Sequence, residues 1–215
     1  MIDRVIESIR TVLELGYYAA GITLAYLAYR GLAQIKLTKD VAATNAKREA
    51  FKLAVEQCRF FAEQVVPART DLIDVAMNNG IPFVLPTSCK IVQNEIIEII
   101  TPGRDIVADG IKLDRQLVLY MNRLEAFAMA FTSGVADDMV AYRSTAQTFC
   151  LTVPEIVPFI DWFRKNGRGR YECTIELLEL WSGRLKSEAL TIQKQQIEKN
   201  LEGIKQAKIK TIGSE

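Results

Sequence analysis

Apolar residues set the first pattern: Ile2, Val5, Ile6, Ile9, Val12 and Leu13 recur three or four apart, on one face of an amphipathic helix. The stripe leads straight into Leu15–Tyr29, a stretch with no charged residue. At 1.5 Å per residue that stretch covers about 22 Å of a hydrocarbon core about 30 Å thick. Snorkelling by Arg30 lengthens it to Ile35, and Tyr17, Tyr18, Tyr26 and Tyr29 stand where an interfacial aromatic belt would put them. The expectation is an amphipathic N-terminus and transmembrane anchor over residues 1–36. Leu15, Ile22, Leu24 and Leu27 contribute only about 1–2.5 kcal/mol to insertion, so a buried helix of a soluble protein is the competing reading. Residues 1–14 either lie along the membrane surface or continue the span.

The pattern then stays helical. Ala33 to Val66 lacks proline and glycine, and Phe51, Val55, Cys58, Phe61, Ala62 and Val65 keep helical spacing, with a break expected at Pro67 before the helix resumes from Ala68 to Met77. Asn78-Asn79-Gly80 is a stop signal. Ile81–Pro86 reads as an extended connector, and Ser88 as the cap of a helix over Cys89–Ile100, ended by Thr101-Pro102-Gly103. A long helix is expected from Arg104 to Thr132, with Val107, Ile111, Leu117, Leu119, Met121, Leu124, Phe127, Ala128 and Phe131 as its apolar surface. Another follows over Ala136–Leu151 behind the acids Asp137 and Asp138. Ile156–Phe163 forms an apolar turn and short helix. A last helix runs from Tyr171 to about Ile209, its first half packing through Leu177, Leu180, Trp181 and Leu185. The fold class is all-α: an N-terminal transmembrane helix continuing into a cytosolic helical bundle over 37–188, with a C-terminal amphipathic helix and tail over 189–215.

Composition narrows the chemistry. The chain has 49% hydrophobic and 25% charged residues, which suits a globular domain, and a net charge of +1, which argues against general nucleic-acid binding. It contains no histidine, and Cys58, Cys89, Cys150 and Cys173 form no CxxC pair, so no zinc site, hydrolase triad or cofactor is expected and the cysteines read as buried reduced thiols. The basic residues Arg30, Lys36, Lys39, Lys47, Arg48 and Lys52 follow the uncharged stretch, which by the positive-inside rule puts the large domain in the cytoplasm of an inner-membrane protein. Gly21, Ala25 and Ala28 share a helical face where small side chains allow close packing in lipid, so the expected partners are the bilayer and a second copy.

The segment Leu117–Ala130, which bears Asn122 and Glu125, followed by Gly134 and Asp137-Asp138, resembles a pattern in a family of small bacterial proteins with one N-terminal transmembrane helix and a helical cytosolic domain. The similarity continues loosely through Phe149, Pro158-Phe159, Trp162, Arg164, Tyr171-Glu172, Leu177 and Trp181. The resemblance implies architecture and localisation; the family has no assigned chemistry, so no catalytic residue is carried over.

The candidate sites are few. Arg164, Lys165, Arg168 and Arg170 surround Gly167 and Gly169 in the most basic loop, which reads either as solvated surface or as a site for anionic lipid or a phosphorylated ligand. Asn122 and Glu125 share a helix face, as a functional acid or as a polar pair that fixes helix register. Asp105, Asp109 and Asp114 read as a charged, solvated face. From Arg184 onward, leucine and isoleucine lie among lysines, for pairing with another helix or leaning on an anionic surface. The function expected is a non-enzymatic, membrane-anchored protein acting through self-association or a protein partner. The alternative is a membrane-disrupting or ligand-sensing effector of a bacterial defence module.

Overall fold

The computed structural model describes residues 2–82, 88–100 and 105–206. The order is α1 (Ile2–Phe60), a π-helical turn (Phe61–Val65), α2 (Val66–Asn78), β1 (Ser88–Val92), β2 (Glu95–Ile100), α3 (Ile106–Thr132), α4 (Asp138–Thr152), a 3-10 turn (Val153–Glu155), α5 (Val157–Lys165) and α6 (Glu172–Gln206). The chain divides into two compact units, Met1–Glu49 and Ala50–Glu215. The fold is mainly helical, as the hydrophobic spacing implies.

The first unit holds only the N-terminal part of α1, up to Glu49. Every described side chain from Leu13 to Glu49 is exposed. Among the described residues no helix is long and apolar enough to cross a membrane. The helix expected at Leu15–Ile35 is present, but the transmembrane reading of it is not supported: glycines, tyrosines and Arg30 dilute its leucines. The side chains of Ile2, Val5, Ile6, Ile9 and Val12 lie outside the described residues.

The second unit is built around aromatic side chains. Trp181 of α6 is fully buried, with ring centroids 5.3 Å from Phe149, 5.9 Å from Phe131 and 6.1 Å from both Phe127 and Tyr142. Phe61, from the π turn, stacks 4.9 Å from Phe127. The stripe of α3 that faces this cluster is Leu113, Leu117, Tyr120, Met121, Leu124, Phe127, Ala128 and Phe131, whereas Val107, Ile111 and Leu119 are exposed. Those three, expected in the apolar surface of the helix, are set off the buried face by their spacing.

The expected break at Pro67 takes a milder form. The proline falls in the first turn of α2, right after the chain widens into the π turn, so its missing N–H is absorbed where the hydrogen-bond register has already shifted. Arg123 Nη1 donates to the Gln64 carbonyl in that turn at 2.8 Å. Helix α2 ends as its asparagines and glycine imply: Gly80 adopts φ +68°, Gly80 N–H donates to Met77 O and Ile81 N–H to Ala76 O, a Schellman cap.

The largest correction concerns residues 88–100, expected as a helix capped by Ser88. They form an antiparallel hairpin with Ser88 opposite Ile100 and Val92 opposite Glu95, and a bulge between Lys90 and Ile91. The isoleucines and valine of this segment favour the pleated conformation, and Gln93 and Asn94 turn the chain with φ +51° and +66°. Only one face is covered: Cys89, Ile91, Ile96 and Ile99 pack on the helical core, while Ile97 and Ile100 are exposed. Of the expected connector, residues 83–86 lie outside the described residues, as does Thr101-Pro102-Gly103.

Candidate functional site: the arginine loop and the hairpin turn

Helix α5 ends in a second Schellman cap. Gly167 takes φ +66°, its N–H donates to Arg164 O, and Arg168 N–H donates to Phe163 O. The chain then passes Gly169, where a Cβ would sit 2.8 Å from the Tyr171 ring, so only glycine fits under that side chain without a shift. Tyr171 itself is left-handed, φ +50°, and precedes α6.

The loop's cations are not equivalent. Lys165 pairs with Asp161 at 2.6 Å, one turn earlier on α5. Arg168 pairs with Asp114 of α3 at 2.7 Å, and its guanidinium lies 4.8 Å from the Phe163 ring centroid and 5.8 Å from that of Trp162. Arg170 pairs with Glu172 at 2.7 Å. Arg164 behaves differently: Nε donates to Arg170 O at 2.5 Å and Nη1 to Asn94 O at 3.2 Å, both backbone carbonyls. Its Nη2 is shielded from solvent and has no hydrogen-bond partner among the described residues. The side chain of Arg164 thus stitches the loop to the hairpin turn while keeping one donor uncommitted.

The hairpin turn is held from the other side by Glu179 of α6, whose carboxylate accepts from Gln93 N–H at 3.1 Å and Asn94 N–H at 2.9 Å. Between turn and loop lies a cavity of about 500 Å³ lined by Asn94, Glu95, Arg164, Gly167, Gly169, Arg170 and Glu172. The structure therefore brings Arg164 and Arg170 to one cavity and takes Lys165 and Arg168 out of it. Asn94, Glu95 and Glu172 were missed. The polar Gln93-Asn94 pair between two β-branched runs was the signal that could have found the turn.

A second cavity, of about 410 Å³, lies between β1 and α6 and is lined by Cys89, Ile91, Pro154, Leu178, Glu179, Ser182, Gly183 and Lys186. Burial pushes the Cys89 thiol up, against the opposing pull of Lys186, so this thiol is held protonated rather than activated. All four cysteines are free thiols and half-buried rather than fully buried.

The other candidate residues have structural partners. Glu125 accepts from the backbone N–H groups of Cys173 and Thr174 and from the Thr174 hydroxyl, and the Tyr171 hydroxyl lies 3.3 Å from Asn122 Oδ1. Asp105 caps α3 by accepting from Val107 and Ala108 N–H, and Asp114 holds Arg168, so these two aspartates do more than line a solvated face. Among the described residues no group of acids and cysteines could hold a metal ion. Gly21, Ala25 and Ala28 are exposed, and a Cβ placed at Gly21 would meet no neighbouring atom. No family model matches this chain, and neither a curated protein nor a solved structure does.

Proposed function

We propose that this chain is a membrane-associated, self-associating helical protein, in which the N-terminal part of α1 attaches and pairs copies while the Ala50–Glu215 unit makes partner contacts. One observation carries this reading: from Leu13 to Val41 an unbroken helix exposes Leu13, Leu15, Tyr17, Tyr18, Leu24, Tyr26, Leu27, Tyr29, Leu32, Ile35, Leu37 and Val41. So much exposed apolar surface on one helix calls for lipid or another helix. Among the described residues no single helix is long and apolar enough to cross a bilayer. Paired copies can approach closely at Gly21, Ala25 and Ala28, whereas Arg30, nine residues from Gly21, points away from that face and is left to snorkel to the headgroups. The basic residues from Arg30 to Lys52 favour the cytoplasmic face for the larger unit.

The test is flotation of the full chain with vesicles, followed by crosslinking. The expected result is co-flotation and a crosslinked dimer or larger species, with Gly21→Leu reducing crosslinking at equal expression. A chain that stays at the bottom of the gradient and crosslinks only as a monomer overturns the proposal.

A further inference from the structure

We infer that the cavity between the hairpin turn and the arginine loop binds a small zwitterion, a molecule with one oxyanion group, phosphate or carboxylate, and one ammonium group. The argument is the charge pattern of its wall. Arg170 and Glu172 neutralise each other at 2.7 Å. Of the loop's cations, Arg164 alone has no carboxylate partner among the described residues; its bonds go to two backbone carbonyls. Glu95, exposed on β2 at the same cavity, has no cationic partner among the described residues either. The wall therefore holds one uncompensated positive charge and one uncompensated negative charge.

Unmet hydrogen bonds sit in the same wall. Among the described residues Arg164 Nη2 is a donor without an acceptor and Asn94 Oδ1 an acceptor without a donor, both shielded from solvent. Such groups cost free energy unless something pairs with them, and a small side-chain rotation would present each to a seated ligand. Nε and Nη1 tether the guanidinium beside the cavity, so a local adjustment suffices for Nη2 to meet an oxyanion. A ligand carrying only negative charge would be repelled by Glu95, and one carrying only positive charge by Arg164. A molecule carrying both signs satisfies both ends, and about 500 Å³ accommodates one of small size.

Such chemistry occurs free in solution and in the headgroup of phosphatidylethanolamine. The experiment uses the full chain and follows binding of phosphoethanolamine and β-alanine by calorimetry, with glycerol 3-phosphate and ethanolamine as probes bearing one charge sign each. Both zwitterions are expected to bind more tightly than either single-sign probe. Glu95→Gln, on an exposed strand position that leaves the loop intact, is expected to weaken phosphoethanolamine about three- to fivefold and to leave glycerol 3-phosphate unweakened. Arg164→Lys, which keeps the charge but removes the free edge, is expected to weaken all three oxyanion-bearing probes. Vesicles of phosphatidylethanolamine that compete with phosphoethanolamine, when phosphatidylglycerol vesicles do not, would assign the headgroup as the source; competition by neither would assign the free molecule. Equal binding of glycerol 3-phosphate and phosphoethanolamine, or unchanged affinity in Glu95→Gln, overturns the inference, as does absence of zwitterion binding by a folded chain.

Discussion

Glu125 on α3 caps helix α6 through Thr174: one carboxylate oxygen accepts from the Thr174 amide at 2.9 Å and from its hydroxyl at 2.7 Å, while the other accepts from Cys173 N–H at 3.0 Å. Tyr171, at the start of α6, has no side chain able to accept these amides, so the cap is borrowed from another helix. Glu125→Gln keeps the shape but replaces a charged acceptor with a neutral amide facing donors. A loss of about 1–3 kcal/mol in urea unfolding is expected. Glu125→Gln as stable as the parent chain would mean that solvent already satisfies those amides.

Tyr120 gives the fold an alkaline limit. Burial, opposed by Thr152 and Arg69 and reinforced by Glu155, pushes its hydroxyl up to about 12 from an ordinary value of 10. The neutral form is the one the fold accepts, so this stability is complete below about pH 10 and is lost between about pH 10 and 12, up to about 3 kcal/mol. Tyr120→Phe should unfold with a shallower pH dependence in that window. Burial also raises Cys89, Cys150 and Cys173, and their contribution begins lower and is common to both chains. Parallel stability curves for the two chains across the window would exclude the assignment to Tyr120.

Gly110 on α3 lies under Trp162, and a Cβ there would be 2.7 Å from Cζ3 of the indole. The ring is in edge contact with Phe163 at 5.1 Å and also faces Arg168, so it has little room to yield. Gly110→Ala should gain helix propensity and lose more to overpacking, for a net destabilisation of about 1–2 kcal/mol. Thermal unfolding reads the sign directly, and a raised midpoint would show that the indole moves freely.

Gln93 occupies left-handed backbone at φ +51°, where a longer side chain carries strain. Gln93→Gly should stabilise the hairpin by about 0.5–1 kcal/mol, since its backbone N–H to Glu179 is kept. A lower denaturation midpoint for this variant would count against strain at the turn.

Trp181 tests the aromatic core. Besides its ring contacts, its Nε1 donates to Asp138 Oδ1 at 2.6 Å, and Asp138 also pairs with Arg184. Trp181→Ala is expected to cost about 3–5 kcal/mol, measured by chemical denaturation. A folded variant of unchanged stability would make this side chain a binding residue instead.

Helix positions and most of the core were legible in the sequence because spacing alone dictates them: Leu117, Met121, Leu124 and Phe131 mark the buried stripe of α3 by periodicity. The hairpin was not, since Ile91, Val92, Ile96, Ile99 and Ile100 also fit a helical face, and the deciding information is the backbone at Gln93 and Asn94. The arginine loop was legible as a cluster of cations but not as a cavity wall. Which cation is neutralised depends on Asp114, Asp161 and Glu172, and whether one reaches the hairpin depends on tertiary placement. Asn122 and Glu125 stood out as polar residues on an apolar helix, yet their partners, Tyr171 and Thr174, lie beyond two further helices, α4 and α5, in sequence.

The grip of Glu179 on the amides of Gln93 and Asn94 joins residues far apart in the chain, and this sets an order of opening. The hairpin has two strands and one covered face, too little to persist alone. It can close only after α6 has docked, and it is free to detach while the helices stay assembled. Amide hydrogens of β1 and β2 should therefore exchange through a local event at far lower free energy than those of α3, so the cavity can lose one wall while the helical core stays closed.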